Sequence, residues 1–292
     1  MKIAYLIISP KNPLQVYNLI HALSNGKNHF FIHLKKGMEF EIEKINKLPN
    51  VCFSEKKHRS GWAGFKVLLA TIDLIKLAKK ADPDFDYYIN LSDSCYPIYN
   101  NEIIEKYLFT HNFNFIEGLK LPSNKLDAGG LQKIELPWFQ DEFQDLNPYV
   151  KKYLHKAIHL IYRILNIKRS FPKEYDAYFG SQWWALTNFA VDILLNSVNN
   201  EKKLLNFFKR SFAADEQYIQ TVIYNAKELE DKIINKPFRY VDWNTNGPPK
   251  TLTMTDYNDI LQSGFLFARK FDHENEPEII RALNVTFQNK LN

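Results

Sequence analysis

The sequence predicts an α/β fold with a mostly parallel central sheet flanked by helices, in a single compact domain over residues 1–292. Strand-like and helix-like segments alternate from the N-terminus, which is typical of βαβ units. The first strands are continuous apolar runs, as expected where both faces of a strand are buried. No linker, repeat or low-complexity tract divides the chain. We therefore expect one domain with two halves, at about 1–110 and 111–292.

The predicted elements follow from hydrophobic periodicity and from turn residues. An apolar run at 2–9, a Pro-bounded helix at 14–23 and a second strand at 29–34 form the opening βαβ unit. After Gly61-Trp62-Ala63-Gly64, residues 65–80 have helical spacing, and 86–91 form the next strand. The later predictions are strands at 113–119, 238–243 and 265–272, and a Gly-Ser turn that leads into a strand within 176–186. Helices are predicted at 147–173, at 189–197 and, with Thr255 as its cap, up to residue 263.

Composition limits the function classes. The 38 basic and 33 acidic side chains leave a net charge of +5, which is small for a nucleic-acid-binding protein, so we expect no nucleic-acid partner. Cys52 and Cys95 have no CxxC or histidine partner pattern, which argues against disulfides and zinc and favours a reducing cytoplasm. The first nine residues are too short for a membrane span and lack a cleavage site, so we expect cytoplasmic localisation. No GxGxxG follows the first strand, which argues against dinucleotide binding.

An acidic pair, Asp215 and Glu216, stands at the predicted start of a helix. Adjacent carboxylates in such a position can serve acid/base chemistry. They can equally cap free N–H groups and complement the helix dipole, as acidic residues in a first turn commonly do.

A metal-binding carboxylate pair is missing where one could be expected. Metal-dependent nucleotide-sugar transferases carry Asp-x-Asp at the end of a strand like 86–91. Here that strand runs into Ser92-Asp93-Ser94-Cys95, so the second position is a cysteine. Asp82, Asp84 and Asp86 have the spacing but precede the strand, and we interpret them as loop residues.

Residues 147–173 combine seven basic residues with apolar residues at helical spacing, and no acidic residue lies between Asp145 and Glu174. A basic amphipathic helix can lie on an anionic membrane surface, at the inner face of the plasma membrane for a cytoplasmic protein. The alternative is a helix whose apolar face covers the protein core and whose basic face is solvated.

Several segments resemble, in their order, the core-2/I-branching β-1,6-N-acetylglucosaminyltransferase and peptide xylosyltransferase family, in the style of a bacterial member. They are AYLIISPKNP, FFIHLKK, GWAGF, YYINLSDSCYPI, YFGSQWWALT, ADEQYIQT, RYVDW, PPKTLT and FLFARKFD. The resemblance implies a GT-A type fold and metal-independent, inverting transfer of a sugar from a UDP-sugar. The first half would then hold the nucleotide sugar, and the second half the acceptor and the catalytic base.

The resemblance also implies site residues. Glu216 matches the family's catalytic base, and Lys270 and Lys250 match the cations at the diphosphate. We expect acceptor contacts at Glu117, Ser181, Trp183, Asp215 and Trp243, and a donor pocket at Ser9, His33, Lys35, Trp62 and Asp93.

The mechanism that follows needs no metal or other cofactor. Glu216, ionised by the helix dipole, takes the proton of the acceptor hydroxyl, while Asp215 caps the helix or orients a hydrogen bond. The aromatic neighbours of Lys270 argue that its charge has a partner rather than facing solvent.

The chain departs from the family where Lys35 stands in place of an acid of an IHxD pattern, which leaves the donor sugar open: N-acetylglucosamine, xylose or another hexose. The acceptor is expected to be a glycan or a lipid-linked oligosaccharide in surface polysaccharide or lipopolysaccharide synthesis. Two other functions remain: a glycoside hydrolase that uses Glu216 with Glu117, and a catalytically silent glycan-binding module.

Overall fold

The computed structural model describes residues 1–8, 12–34, 42–59, 61–243 and 247–289. Ser9 and Lys35 lie outside the described residues, so the structure does not place these two predicted donor contacts. The strands are β1 (Ile3–Ile8), β2 (His29–His33), β3 (Val51–Phe53), β4 (Tyr87–Ser92), β5 (Tyr96–Pro97), β6 (Asn114–Phe115), β7 (Leu119–Lys120), β8 (Tyr178–Phe179), β9 (Ala185–Thr187), β10 (Ile233–Ile234), β11 (Tyr240–Val241) and β12 (Phe267–Arg269).

The helices include those predicted near residues 14–23, 65–80 and 189–197 and others that the sequence did not predict. They are α1 (Pro13–Leu23), α2 (Ile42–Asn46), α3 (Phe65–Ala81), α4 (Asn101–His111), α5 (Gln132–Glu135), α6 (Pro148–Ile164), α7 (Asn188–Asn200), α8 (Lys202–Phe207), α9 (Tyr218–Asn225), α10 (Tyr257–Gln262) and α11 (Pro277–Asn289). Within the described ranges, no helix is long and apolar enough to cross a membrane.

The central sheet of the described residues has seven strands in the order β10-β6-β9-β4-β1-β2-β3. Only β9 runs antiparallel to its neighbours, and the other pairs are parallel. Two smaller sheets, β11-β12-β5 and β7-β8, complete the fold. The predicted α/β class with a mostly parallel sheet is therefore confirmed.

Both faces of the sheet are buried, as the continuous apolar run of β1 predicts. Ile3, Tyr5 and Ile7 pack into one apolar cluster with α1, α4 and α11. Ala4, Leu6 and Ile8 point to the other face, into a second cluster with α3, α7 and α9. Alternate residues of one strand thus bind two helical layers to the sheet.

The predicted strand at 113–119 is wrong in its extent. The strand ends at Phe115, and the Ile116 N–H still donates to the Ile234 carbonyl at 3.2 Å. Beyond it, the side chain of Asn235 bonds the backbone of Gly118. Its Oδ1 accepts the Gly118 N–H at 3.0 Å, and its Nδ2 donates to the Gly118 carbonyl at 2.9 Å. The strands predicted at 238–243 and 265–272 are likewise confined to the two or three residues of β11 and β12.

Two helix boundaries also differ from the prediction. The helix predicted at 147–173 ends at Ile164, where Asn166 adopts a left-handed φ of 49° and the Ile167 N–H donates to the Tyr162 carbonyl at 2.8 Å. This is the Schellman arrangement, which closes a helix. Near residue 255 the cap is Thr253 rather than Thr255, in a capping box with Asp256.

Candidate active site

The acidic pair lies in a tight turn that precedes α9. Ala213 has a left-handed φ of 50°, and its N–H donates to the carbonyl of Ala63 at 3.0 Å. A 3₁₀ turn over Ala214–Glu216 follows, and α9 begins only at Tyr218. Among the residues that the structure describes, no side chain caps either element, so the predicted capping role of Asp215 is wrong. A non-glycine residue held in the left-handed region costs about 1 kcal/mol, a strain that often accompanies functional turns.

Burial controls the charge of the pair. It raises the pKa of the Asp215 carboxyl, whose Oδ1 is buried without a hydrogen-bond partner, and the neighbouring Asp141 raises it further. It also raises the pKa of the partly buried Glu216 carboxyl, and Asp215 and Glu117 act in the same direction. The prediction that the helix dipole keeps Glu216 ionised is therefore wrong, because desolvation and like charges outweigh it.

Gly180 brings Glu117 and Glu216 together. Its N–H donates to the Glu216 carbonyl at 2.9 Å. A Cβ at Gly180 would lie 1.9 Å from the carbonyl oxygen of Glu117, so only glycine permits this approach. Burial raises the pKa of the Glu117 carboxyl. The structure thus places two carboxyl-bearing residues on either side of one glycine.

Ser181 and Trp183 follow this glycine and line the same region. The carbonyl of Ser181 accepts a hydrogen bond from Nε2 of Gln220 on α9 at 2.7 Å. The Ser181 hydroxyl accepts the Trp183 N–H at 3.3 Å. These bonds fix the segment between β8 and β9 against the helix that follows the acidic pair.

Two arginines lie against the ring of Trp183. The guanidinium carbons of Arg239 and Arg269 lie 4.2 and 4.5 Å from the ring centroid. Arg239 is buried and donates to the sulfur of Cys95 and the carbonyl of Asn90. Burial lowers the pKa of Arg239 to about 10. In the described part of the chain neither guanidinium forms a salt bridge with a carboxylate, and Arg269 is among the groups that lower the pKa of Glu216.

The sequence prediction missed both arginines, although they lie inside RYVDW and FLFARKFD. The aromatic neighbours of Lys270 predicted a partner for the charge of this lysine. Lys270 is exposed, and Nζ has no partner among the residues described, so that expectation is wrong. Arg269, one position earlier on β12, is the partly buried cation. Side chains alternate between the two faces of a strand, so Arg269 shares the face of Phe267, which is buried. This pattern could have indicated that Arg269, and not Lys270, faces inward.

Lys250 lies on a segment beside Lys270, which follows the end of β12, and its amine is paired. The Leu252 N–H donates to the Lys270 carbonyl at 2.8 Å, which brings the two segments side by side. Nζ of Lys250 lies 2.5 Å from Oδ1 of Asp256 and 4.0 Å from Oδ2 of Asp242.

Trp243, a predicted acceptor contact, belongs to this region too. It is 65% exposed and forms a β-bridge with Pro249, next to Lys250. The structure therefore places Trp243 beside Lys250, one of the two predicted diphosphate lysines.

Two of the predicted donor contacts lie at the carboxyl ends of parallel strands. His33 ends β2 and is fully buried; Nε2 accepts the His58 N–H at 2.9 Å, and burial lowers its pKa to about 4, so it is neutral. Asp93 follows β4 and accepts the Asn12 N–H at 3.2 Å. Nε2 of Gln15 lies 3.4 Å from the carbonyls of both Asp93 and Phe271, which ties this loop to the residue after Lys270.

Trp62, the remaining predicted donor contact, lies beside the acidic pair. It is 79% exposed, and its ring packs edge-on against Phe212 at 5.6 Å. Nζ of Lys133 lies 4.6 Å from the Phe212 centroid and 4.1 Å from that of Phe179. Burial lowers the pKa of Lys133, and its charge lowers that of Glu216. Sequence reasoning gave no signal for Lys133, because isolated lysines are common on surfaces.

No group of three or more His, Cys, Asp or Glu side chains among the described residues is arranged to hold a metal ion. Partly buried Glu216 thus lies next to buried Asp215, while buried Arg239 and partly buried Arg269 lie against Trp183. Arg269 is close enough to Glu216 to lower its pKa. Such an arrangement can accept a proton on one side and bind an anionic group on the other.

The sequence matches one protein-family model and is similar to several characterised glycosyltransferases. The family model described as "Core-2/I-Branching enzyme" matches residues 3–263. The β-glucuronosyltransferase GlcAT14A of Arabidopsis thaliana is 25% identical over 293 residues, which cover 94% of this chain and 62% of the relative. The xylosyltransferase sqv-6 of Caenorhabditis briggsae is 23% identical over 254 residues, which cover 83% of this chain and 29% of the relative. The chain thus spans less than two thirds of either relative.

Among solved structures, the apo form of mouse xyloside xylosyltransferase 1 overlaps with 92% of this chain and 97% of its own. The TM-score is 0.37 and the sequence identity 13%. An overlap of this size supports no conclusion about the site.

Proposed function

Because the chain belongs to the Core-2/I-branching enzyme family, we propose that it is a glycosyltransferase that inverts the anomeric centre of a UDP-sugar without a metal ion. The observation that carries the proposal is the partly buried carboxyl of Glu216 together with Arg239 and Arg269, which lie against Trp183. The charge of Arg269 lowers the pKa of Glu216, which links the two groups. Inverting transfer is a single displacement in which an acceptor hydroxyl loses a proton while a diphosphate leaves. A proton acceptor and unpaired cations in one site match those two needs.

Glu216 acts as the base in this proposal. A carboxylate whose pKa is raised holds a proton more strongly than an ordinary glutamate, so it is the better proton acceptor once ionised. Lys133 and Arg269 oppose the shift and keep the ionised form accessible. The partial exposure of Glu216 allows an acceptor hydroxyl to reach it.

Cations of the small sheet take the place of a metal at the leaving group. Lys270 is exposed and free to bind a phosphate, whereas Lys250 must leave Asp256 or share it. Arg269 is the last residue of β12 in this sheet and adds a third positive charge, which also lowers the pKa of Glu216. Loss of one such group in a water-poor site typically costs on the order of 10²–10³ in rate.

For the substrates, the proposal names classes of donor sugar and acceptor. The resemblance favours N-acetylglucosamine or xylose as the donor sugar, and the names of the relatives add glucuronic acid. The acceptor is proposed to be a glycan or a lipid-linked oligosaccharide of a surface polymer. Trp62 and Trp243 are both exposed on the protein surface, and sugar rings stack well on such side chains.

The test begins with a thermal-shift screen of UDP-sugars, followed by transfer and hydrolysis assays with the best binder. We expect a selective shift by one UDP-sugar, activity that EDTA leaves unchanged, and weaker donor binding in Lys270→Ala but not in Lys227→Ala, an exposed lysine on another surface. Loss of activity in EDTA that Mn²⁺ restores would refute the metal-free mechanism. Release of free sugar from an oligosaccharide without any nucleotide would instead favour hydrolysis by Glu216 and Glu117.

A further inference from the structure

Helix α6 is held to the protein by its polar side. Its two buried residues are His155 and His159, which contact the ring of Trp138 with centroids 5.2 and 4.6 Å away. Nε2 of His155 accepts the Phe139 N–H at 3.0 Å, and Nε2 of His159 bonds the Pro137 carbonyl at 2.9 Å. Histidines thus occupy the place that apolar residues take in an ordinary amphipathic surface helix.

The apolar side of α6 faces away from the protein. At 100° per residue, Tyr153, Leu160 and Ile164 lie opposite the two histidines. The exposed fractions are 65%, 56% and 73%. The expectation that the apolar residues of this segment cover a protein core is therefore wrong. The full exposed set, here called the outer face, is Tyr149, Val150, Tyr153, Leu154, Leu160, Ile161 and Ile164, and Leu165 and Ile167 continue it beyond the helix.

Positive charge borders the outer face. Lys152, Lys156 and Arg163 fall on one flank of the helix, and all three are exposed. None of the three forms a salt bridge with any residue that the structure describes, and no acidic residue occurs between Asp145 and Glu174. A second copy of the chain on this face would bring like charges together, whereas an anionic surface would satisfy them.

We propose that α6 lies in the plane of an anionic lipid bilayer, with the outer face among the acyl chains and Lys152, Lys156 and Arg163 at the headgroups. The inner side stays on Trp138, so the helix enters the interface by only half of its circumference. Exposed large apolar residues with a cationic border are the composition of interfacial helices. Single exposed residues elsewhere, such as Phe109 or Phe189, do not form such a continuous face.

The location of α6 has a consequence for the site. Trp138 contacts Phe212 at a centroid distance of 4.8 Å, and Phe212 precedes Glu216 by four residues. A bilayer beneath α6 would therefore lie on the Phe212 side of the acidic pair, the side on which Trp62 is exposed. This inference goes beyond the proposed function, since it concerns where the protein binds and not which bond it forms.

The test is vesicle flotation of the full chain with neutral phosphatidylcholine vesicles and with vesicles that contain phosphatidylglycerol. Wild type is expected to bind the anionic vesicles only. The variant Lys152→Gln/Lys156→Gln/Arg163→Gln should bind about a hundredfold more weakly, at about fivefold per cation. Lys76→Gln/Lys80→Gln/Lys106→Gln makes the same charge change at exposed positions of α3 and α4 and is the matched control.

A second variant separates insertion from adsorption. Leu160→Ser/Ile161→Ser/Ile164→Ser keeps every charge, and it should lose binding at physiological salt if the outer face enters the bilayer. Donor hydrolysis should be equal in all variants, which shows that they are folded and separates this outcome from failure of the proposed function. Equal binding by wild type and both α6 variants would refute the proposal. So would a wild-type dimer in sedimentation velocity that the serine variant dissociates without any vesicle binding.

Discussion

Replacing Glu216 by glutamine should stabilise the protein and abolish its activity, and the stabilisation should depend on pH. The pKa of Glu216 is raised in the folded chain, so its ionisation opposes folding. The wild type therefore has its full stability below the ordinary pKa of about 4.3 and loses stability as the pH rises toward the folded-state pKa. Glutamine is neutral throughout, so the variant lacks this loss.

The size of the effect follows from proton linkage. One proton bound in the folded but not the unfolded state changes the unfolding free energy by about 1.4 kcal/mol per pH unit. Between pH 5 and pH 7 the variant should therefore gain up to about 3 kcal/mol over wild type. At roughly 2 °C per kcal/mol for a chain of this size, the melting temperatures should differ by about 5 °C at pH 7 and by little at pH 5.

The assay is thermal unfolding of both proteins from pH 4.5 to 8, with transfer measured in parallel. Glu230→Gln, at an exposed position, is the matched control and should follow wild type at every pH. Loss of a general base should lower kcat about 10²–10⁴-fold, and the acidic limb of kcat/KM in wild type should lie above the range of an ordinary glutamate. Parallel melting curves for wild type and Glu216→Gln would refute the buried-acid argument. Turnover like that of wild type would refute the base assignment.

Three further predictions concern the surroundings of the site. Gly180→Ala should lower the unfolding free energy by more than about 2 kcal/mol in urea titrations, because its Cβ meets the Glu117 carbonyl, whereas Gly247→Ala, in open space, should change it little. Asp141→Ala should cost about 1 kcal/mol, because its carboxylate accepts the N–H of Gly61 in the turn before α3 and that of Lys66 in its first turn; an unchanged urea midpoint would contradict this. Arg269→Gln should raise the Kd for UDP in calorimetry about tenfold or more; an unaltered Kd would place the diphosphate elsewhere.

The sequence predicted the elements that bury a periodic apolar pattern. Strand β1 and helices α1 and α3 lie within one or two residues of the prediction, because their own residues determine which faces are buried. The short strands β6 and β12 depend on partners distant in the chain, such as Asn235, and the sequence pattern overstates their length. Propensity is weaker than tertiary contact in such strands.

The site was predictable in part for a similar reason. Motifs singled out Glu216, Asp215, Glu117, Ser181 and Trp183, and backbone bonds through Gly180 and Gln220 hold their segments near one another, while their roles stay predictions. Their charges were not predictable, because desolvation depends on what covers a carboxyl and not on its position in a helix. The sequence predicted Lys270 as the cation with a partner, but the structure places Arg269 there. A motif identifies neighbouring residues, whereas the geometry of the strand determines which of them faces inward.

The acid pair (Asp215 and Glu216) and the arginine pair (Arg239 and Arg269) interact electrostatically. Each would cost stability if it were alone, since buried charges of one sign are poorly solvated. Arg269 repels Arg239, yet it lowers the pKa of Glu216, so one guanidinium is coupled to both pairs. In the proposed transfer, negative charge leaves Glu216 as it takes a proton and appears on the departing diphosphate. A cation held at Trp183, within reach of both positions, stabilises the charge before and after it moves, and for this reason Arg269 should matter to the rate as well as to donor affinity.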